Sequence, residues 1–305
     1  HTFLGIEEPE AHLHPHLQRL VYRDFLRKRG EGAADEERRA MTVLLTTHSP
    51  HIVSVAPLNS IVVLRKTTDL QSTEGSSTAE LAFNAADVAD LERYLDVTRG
   101  EMLFAKGVVF VEGDAELFIV PALAKARGVD LDELGITVCS VAGTNFAPYV
   151  KLLGARGLQI PFAVITDGDP AAGGVRSGDR RVIELLRRLV PAAQLANRTN
   201  AQLLTRARQT GLFVGTVTCE PDLFAAGAHV PIGQTLVELA PGPTARQRAE
   251  AWMANPASLD REQFLKDIEE IGKGRFAQRL CGRLEAAHCP AYIADAIDHV
   301  QALCR

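Results

Sequence analysis

The sequence predicts an α/β fold, a parallel sheet flanked by helices with more helices after it, and three observations carry that prediction. Val108 to Val111 is a short run of strand-forming apolar residues. It stops abruptly at Glu112-Gly113-Asp114 and passes into a helix face of Leu117, Phe118, Val120 and Leu123. Phe162 to Ile165 repeats the arrangement and stops at Thr166-Asp167-Gly168-Asp169-Pro170. Strand-like and helix-like stretches then alternate to about residue 220. Wholly apolar runs of this length suit strands buried on both faces of a parallel sheet, and alternation with helices is how such sheets are connected.

The chain has 305 residues, enough for one large or two medium domains. A formal charge of −5 argues against a wholly basic nucleic-acid coat. It does not exclude DNA, because basic patches and metal ions can carry phosphate binding. No apolar run approaches the ~20 residues of a membrane span, so no membrane partner is expected. Cys139, Cys219, Cys281, Cys289 and Cys304 are odd in number and lack metal-ligand spacing. Reduced thiols in a cytoplasmic protein are the expectation. No signal-peptide pattern opens the chain, and His1-Thr2-Phe3 reads as the middle of a longer protein.

Taken in order, Phe3 to Glu8 is an apolar strand ending in two acids, Glu7 and Glu8. Leu17, Leu20, Val21 and Phe25 have amphipathic helical spacing. Gly30 to Arg39 is polar and reads as a loop. His12, His14 and His16 alternate, but Pro15 interrupts them, which favours a structural or interface role over a metal site. Val43 to Pro50 is a further strand with His48 at its end, and Ile61 to Leu64 is another. Thr67 to Thr78, rich in Ser, Thr and Gly, reads as a flexible loop or hairpin between domains. Val88, Leu91, Tyr94 and Leu95 form a helical stripe.

After the first core strand and helix, Ile136 to Val141 is the next strand, and Tyr149, Val150, Leu152 and Leu153 start a helix. Pro170 to Arg180 contains Gly and Arg and is expected to be mobile and to contact substrate. Ile183, Leu185, Leu186 and Leu189 form a helix. Leu212 to Thr218 reads as a fourth strand delivering Cys219, Glu220 and Asp222, the last a candidate cap for a helix starting near Leu223. Thr244 to Ala254, Arg261 to Ile271, Phe276 to Ala287 and Tyr292 to Leu303 carry helical spacing, with Lys273 between two of these helices.

The chemistry lies at the strand ends, where α/β sheets bind ligands. Asp167 and Asp169 are two apart, so extended backbone points both to one side. Alone, Asp167-Gly168-Asp169 reads equally as a turn of good turn formers. Adjacent parallel strands would bring Glu112 to them, with Glu116 one helical turn away. Four carboxylates in a small volume demand cations, and all-oxygen ligands favour Mg²⁺ or Mn²⁺. Arg or Lys side chains already neutralising these acids would defeat that reading.

A Glu after the first strand and an Asp-x-Asp after a later one resembles the Toprim pattern of topoisomerases, primases and certain nucleases. The stretch Arg93 to Gly113 and the run Lys273-Gly274-Arg275-Phe276-Ala277 are similar to the OLD (overcoming lysogenisation defect) family, which joins an ABC-type ATPase to a Toprim nuclease. The resemblance implies a Toprim parallel sheet flanked by helices, with a C-terminal helical elaboration and a partial ABC-ATPase lobe at the N-terminus. The expected divisions are 1–75 for the ATPase part, 76–106 for a linker and leading helix, 107–225 for the Toprim core and 226–305 for the elaboration.

The same resemblance assigns roles. Glu7 would lie near the Mg²⁺ of ATP, Glu8 would polarise the attacking water, and His48 would contact the γ-phosphate. Arg93 and Arg99 match the family and would pair with a carboxylate or phosphate, unless they form a solvated helix face. Glu112, Glu116, Asp167 and Asp169 would hold two divalent metal ions roughly 3.5–4 Å apart, one activating water and one stabilising the leaving 3′ oxygen. Glu220 would be a metal or supporting ligand, Lys273 would neutralise transition-state charge, and Glu112 is an alternative general base. The implied activity is cleavage of DNA. Implied associations are a homodimer through the ATPase domain, a helicase-like partner and a part in phage defence. No Gly-x-x-x-x-Gly-Lys-Ser/Thr occurs, so ATP would serve the full-length protein and this chain alone is not expected to hydrolyse it. An ATP-gated DNA clamp with an inactive Toprim fold and a small-molecule phosphohydrolase are the competing readings. No tyrosine is evidently placed as a nucleophile, which favours hydrolysis over strand passage.

Overall fold

The structure is a computed structural model that describes residues 2–20, 22–23, 41–66, 71–81, 83–169 and 176–305. It forms two compact units, His1–Phe104 with Arg156–Leu158, and Ala105–Ala155 with Gln159–Arg305.

In the first unit, β1 (Thr2–Glu7) and β2 (Met41–Thr46) pair in parallel, with Glu7 opposite Thr46. Residues 15–20 are helical as expected, but Leu17 and Leu20 are exposed, so this apolar face is not buried. Val21, Phe25 and the expected loop from Gly30 to Arg39 lie outside the described residues. β3 (Val62–Lys66) and β4 (Thr73–Ser77) make an antiparallel hairpin. The stretch expected to be a loop or hairpin therefore contributes a strand, and its residues 67–70 lie outside the described ones. Of the two readings the hairpin holds, although Thr, Glu, Gly and Ser show no apolar alternation. Backbone pairing makes it, and the buried Thr78 side chain pins its end to the Leu58 and Ile61 carbonyls. α1 (Ala85–Tyr94) starts at a reciprocal cap between Asn84 and Asp87 and buries Leu91.

The second unit is built on a four-stranded parallel sheet in the order β6-β5-β7-β8. The strands are β5 (Gly107–Val111), β6 (Ile136–Ser140), β7 (Phe162–Thr166) and β8 (Leu212–Val214). α2 (Asp114–Ala126) and α3 (Ala147–Leu153) follow β5 and β6. α4 (Ser177–Leu189) and α5 (Asn200–Gln209) lie between β7 and β8. Every residue of β5, β7 and β8 is buried, which is why they read as unbroken apolar runs. The chain leaves β5 to one side for β6 and returns on its other side for β7. The β5–β7 pair is therefore the switch point, where a crevice opens beyond the strand ends.

The fourth strand is shorter than the expected Leu212 to Thr218. It ends at Val214, where Gly215 turns the backbone in close to Asp222 and Tyr292. After β8 come α6 (Cys219–Leu223), α7 (His229–Leu239), α8 (Pro243–Ala254), α9 (Arg261–Ile271), α10 (Lys273–Leu280) and α11 (Ala291–Cys304). The expected helix from Phe276 to Ala287 stops at Leu280 and continues as short 3₁₀ turns. α7 went unread because Pro231 and Gly233 interrupt its pattern. Pro231 sits in the first turn, where no N–H is required. Gly233 lets the helix meet Met253, whose Cγ would lie 2.1 Å from an added Cβ. α11 packs against β5, β7 and β8, and its Ile293, Ala296, Ile297 and Val300 join one continuous core with α2 and the sheet. The helical tail thus supplies a layer of the sheet's own core.

Candidate active site at the ends of β5 and β7

Glu112 follows directly on β5 and Asp167 on β7. The register sets Phe110 opposite Val164, so two residues further on Glu112 faces Thr166. Its Oε1 accepts hydrogen bonds from the Thr166 hydroxyl and from the Asp167 backbone N–H, the latter at 2.9 Å. On the β6 side, Gly143 N–H donates to the Glu112 carbonyl at 2.8 Å. The strand pairing therefore joins Glu112 to the Asp167 turn, as the sequence leads one to expect.

The site is not a set of bare acids. Arg181, in the first turns of α4, donates from Nη1 to Glu112 Oε1 at 2.7 Å and from Nη2 to Asp169 Oδ2 at 3.1 Å. Nη1 also reaches the Thr166 hydroxyl and the Asp167 carbonyl. The expectation that no Arg or Lys neutralises the cluster is corrected to this extent: one guanidinium spans two of the acids. Among the described residues, no three His, Cys, Asp or Glu side chains are arranged to hold a metal ion as they stand. Glu112 and Asp169 are turned to Arg181 instead. The signal for Arg181 was present in Arg176-Ser177-Gly178-Asp179-Arg180-Arg181, but the stretch singled out for substrate contact ended one residue short of it.

No ion pair holds Glu116, Asp167 or Glu220 among the described residues. Glu116, in the first turn of α2, and Glu220, in the first turn of α6, are both buried. Burial pushes the Glu116 carboxyl up to about 7; a backbone hydrogen bond opposes this, Glu220 and Glu112 add to it, and Lys273 lowers it. Asp167 is pushed up to about 8, by burial first and then by Glu112, Glu116, Glu220 and Asp169. These mutual effects place Glu112, Glu116, Asp167, Asp169 and Glu220 in one electrostatic neighbourhood. Lys273 belongs to it as the exposed first residue of α10, which packs along α2. It follows Gly272, whose φ of 91° ends α9.

Close backbone contacts assemble this rim. An added Cβ on Gly168 would lie 2.5 Å from the Gly215 and Thr216 carbonyl oxygens. Gly168 and Asp169 N–H both donate to the Val217 carbonyl. Asp169 itself has a φ of 43°. Opposite, α4 begins against the same turn, with Ser177 and Gly178 N–H donating to the Asp169 and Gly168 carbonyls. Arg176 fixes this start, pairing twice with Asp179 and donating to the Gly215 carbonyl at 2.8 Å. Residues 170–175 of the expected substrate-contacting stretch lie outside the described ones.

Asp222 does not cap a helix near Leu223. It lies inside α6 and accepts from Thr216 N–H at 2.7 Å and Val217 N–H at 3.2 Å, tying down the backbone after β8. Tyr292 packs on Gly215 with its hydroxyl buried and, among the described residues, without a hydrogen-bond partner.

In the first unit, Glu7 ends β1 and Glu8 follows at a φ of 42°, its N–H donating to the Thr46 carbonyl at 3.0 Å. Glu8 Oε1 lies 3.3 Å from His48 Nε2. Glu10, not singled out in the sequence, accepts from the Thr47 hydroxyl at 2.6 Å and His48 N–H at 2.7 Å, and so shapes the loop carrying His48. His14 and His16 approach each other through Nδ1 atoms 2.7 Å apart. Arg99 pairs with Asp96 in its own turn at 3.1 Å, and the Arg93 side chain lies outside the described residues.

Residues 103–169 match the model of the overcoming lysogenization defect protein-like TOPRIM domain, and residues 1–54 match that of an AAA domain, putative AbiEii toxin, Type IV TA system. The solved C-terminal region of the Burkholderia pseudomallei OLD protein is 42% identical with a TM-score of 0.61, over 66% of this chain and 100% of that one. The corresponding region from Xanthomonas campestris pv. campestris is 41% identical with a TM-score of 0.61, over 67% of this chain and 96% of that one. The OLD nuclease of Thermus scotoductus is 30% identical over 168 residues, which are 54% of this chain but only 30% of that relative's length. With the Toprim match lying across the β5–β7 switch point and the solved OLD region covered end to end, this chain belongs to the OLD family.

Proposed function

We propose that this chain carries the catalytic part of a divalent-metal-dependent DNA endonuclease or nickase. The observation that carries the reading is the pair Glu116, buried, and Asp167, half-buried, which have no ion-pair partner among the described residues at the switch point and whose carboxyls are raised to about 7 and about 8. Such a pair relaxes when a cation arrives. The donors are all oxygen, and a guanidinium already stands as a cation between Glu112 and Asp169, so the residues fit Mg²⁺ or Mn²⁺. The relative named OLD nuclease points to the same class of chemistry.

Glu112, Glu116, Asp167 and Asp169 would hold two ions, with Glu220 supporting them from the buried start of α6. Bound ions supply Lewis acidity and a water of lowered pKa. The Asp167 turn, clamped between α4 and the segment after β8, fixes where the carboxylates point. Lys273 brings a positive charge toward the phosphate whose negative charge grows during cleavage. In the full-length protein, ATP would bind near Glu7, Glu8 and His48. A homodimer through the ATPase domain, a helicase-like partner, a role in phage defence and a cytoplasmic setting belong to the same proposal.

Nicking of supercoiled plasmid with Mg²⁺ or Mn²⁺, with EDTA and Asp167→Ala controls, tests the reading. Metal-dependent product lost in the variant is expected. Absence of product with either ion favours the inactive DNA clamp, the reading that the Arg181 pairing supports.

A further inference from the structure

We infer that Arg181 is a built-in counter-cation, holding the place of a divalent ion between Glu112 and Asp169 until an ion displaces it. The inference rests on the metal-dependent reading above and adds a competitor inside the same site. One planar guanidinium bridges the ends of β5 and β7, at 2.7 Å from Glu112 and 3.1 Å from Asp169. Glu112 Oε1 receives three donors, from Thr166, Asp167 and Arg181. Ligation of an ion by that oxygen therefore requires Nη1 to withdraw. Deprotonation offers no way out, since a guanidinium stays charged throughout the working range of pH.

The placement is built into the backbone. Gly178, three residues before Arg181, sits against the Asp167 carbonyl, where no larger residue fits. Arg176 and Asp179 lock the same turn. Arg181 is mostly buried along its side chain, with 17% exposure, and Glu112 is equally covered at 16%. A fork of donors in this geometry lowers the repulsion among five acids in the free protein. It also weakens binding of an ion at Glu112 and Asp169, because that ion must take the place of an existing cation.

Mn²⁺ binding to the metal-stripped protein tests this, read by electron paramagnetic resonance of the free ion. Wild type is compared with Arg181→Gln, Arg181→Lys and Asp167→Asn. Arg181→Gln is expected to bind Mn²⁺ about tenfold tighter or better. Its metal-free melting temperature should fall, and Mn²⁺ should raise it by more than in wild type. Arg181→Lys, a point charge that cannot span both carboxylates, should fall between them, and it carries the comparison if the Gln variant does not fold. Unchanged or weaker binding in both Arg181 variants, with binding lost in Asp167→Asn, overturns the inference and leaves the metal-dependent reading standing. No binding by any of the four proteins overturns both.

Discussion

Gly178 approaches Asp167 so closely that an added Cβ would lie 2.1 Å from the Asp167 carbonyl oxygen and 2.8 Å from Val214 Cγ2. That contact seats α4 on the Asp167 turn and carries Arg181 to Glu112 and Asp169. Gly178→Ala must push the helix or the turn aside. Overpacking of this kind costs about 1–3 kcal/mol. Urea denaturation should show that loss, and plasmid nicking should fall with it. Gly282→Ala, where nothing lies within 4 Å of the added atom, serves as the control and should be near neutral.

Asp167 is held against its own charge, so removing the charge should help the metal-free fold. Asp167→Asn is expected to raise the melting temperature in EDTA while abolishing nicking in Mg²⁺ or Mn²⁺. A lowered melting temperature in EDTA would mean that the carboxylate is satisfied by partners and not strained by neighbours.

The same repulsion sets a pH dependence. Glu116 and Asp167 ordinarily lose their protons near 4.5 and 3.8, but in the fold only near 7 and 8. Between those limits the folded chain retains protons that the unfolded chain has released, so stability falls as pH rises. The contribution is whole below about pH 4 and is lost by about pH 8. Denaturation in EDTA at several pH values should show this decline. Asp167→Asn should flatten it, and saturating Mn²⁺ should remove it. A stability that rises across the same window would contradict the raised, unpaired state of the two carboxyls.

The acids were legible in the sequence because each strand end is marked twice, by an apolar run and by the carboxylate that stops it. Glu112 and Asp167 pair from the sequence alone, since parallel neighbours align their ends. Glu220 starts a helix, yet the apolar run before it leads to its buried place near the other acids. Arg181 lies one residue past the stretch singled out for substrate contact, and its reach to Glu112 depends on Gly178 meeting Gly168, a contact between segments. Asp222 was misread for a related reason. Its partners, Thr216 and Val217, precede it in the chain, whereas a capping carboxylate looks forward. α7 escaped because packing overrides its composition.

Asp222 holds the backbone after β8, and that backbone in turn receives Gly168 and Asp169 through the Val217 carbonyl. Asp222→Ala leaves two N–H groups without their acceptor, a loss of about 1–3 kcal/mol. The loss should appear in denaturation. Nicking should drop further than stability alone explains, since the Asp167 turn loses its support. Full activity at a temperature where the variant stays folded would detach Asp222 from the site.

Lys273 offers the opposite dissociation. It is exposed, makes no ion pair among the described residues, and acts on the site through its charge on Glu116. Lys273→Ala should leave the melting temperature within about 1 °C of wild type, as surface substitutions do. Single-turnover nicking should fall by about a hundredfold or more if its charge meets the phosphate in the transition state. Lys273→Arg should restore part of the rate, because the charge returns on a longer, planar head. A loss of stability equal to the loss of rate would reassign Lys273 to capping the junction of α9 and α10. An unchanged rate would leave the transition-state charge to the metal ions.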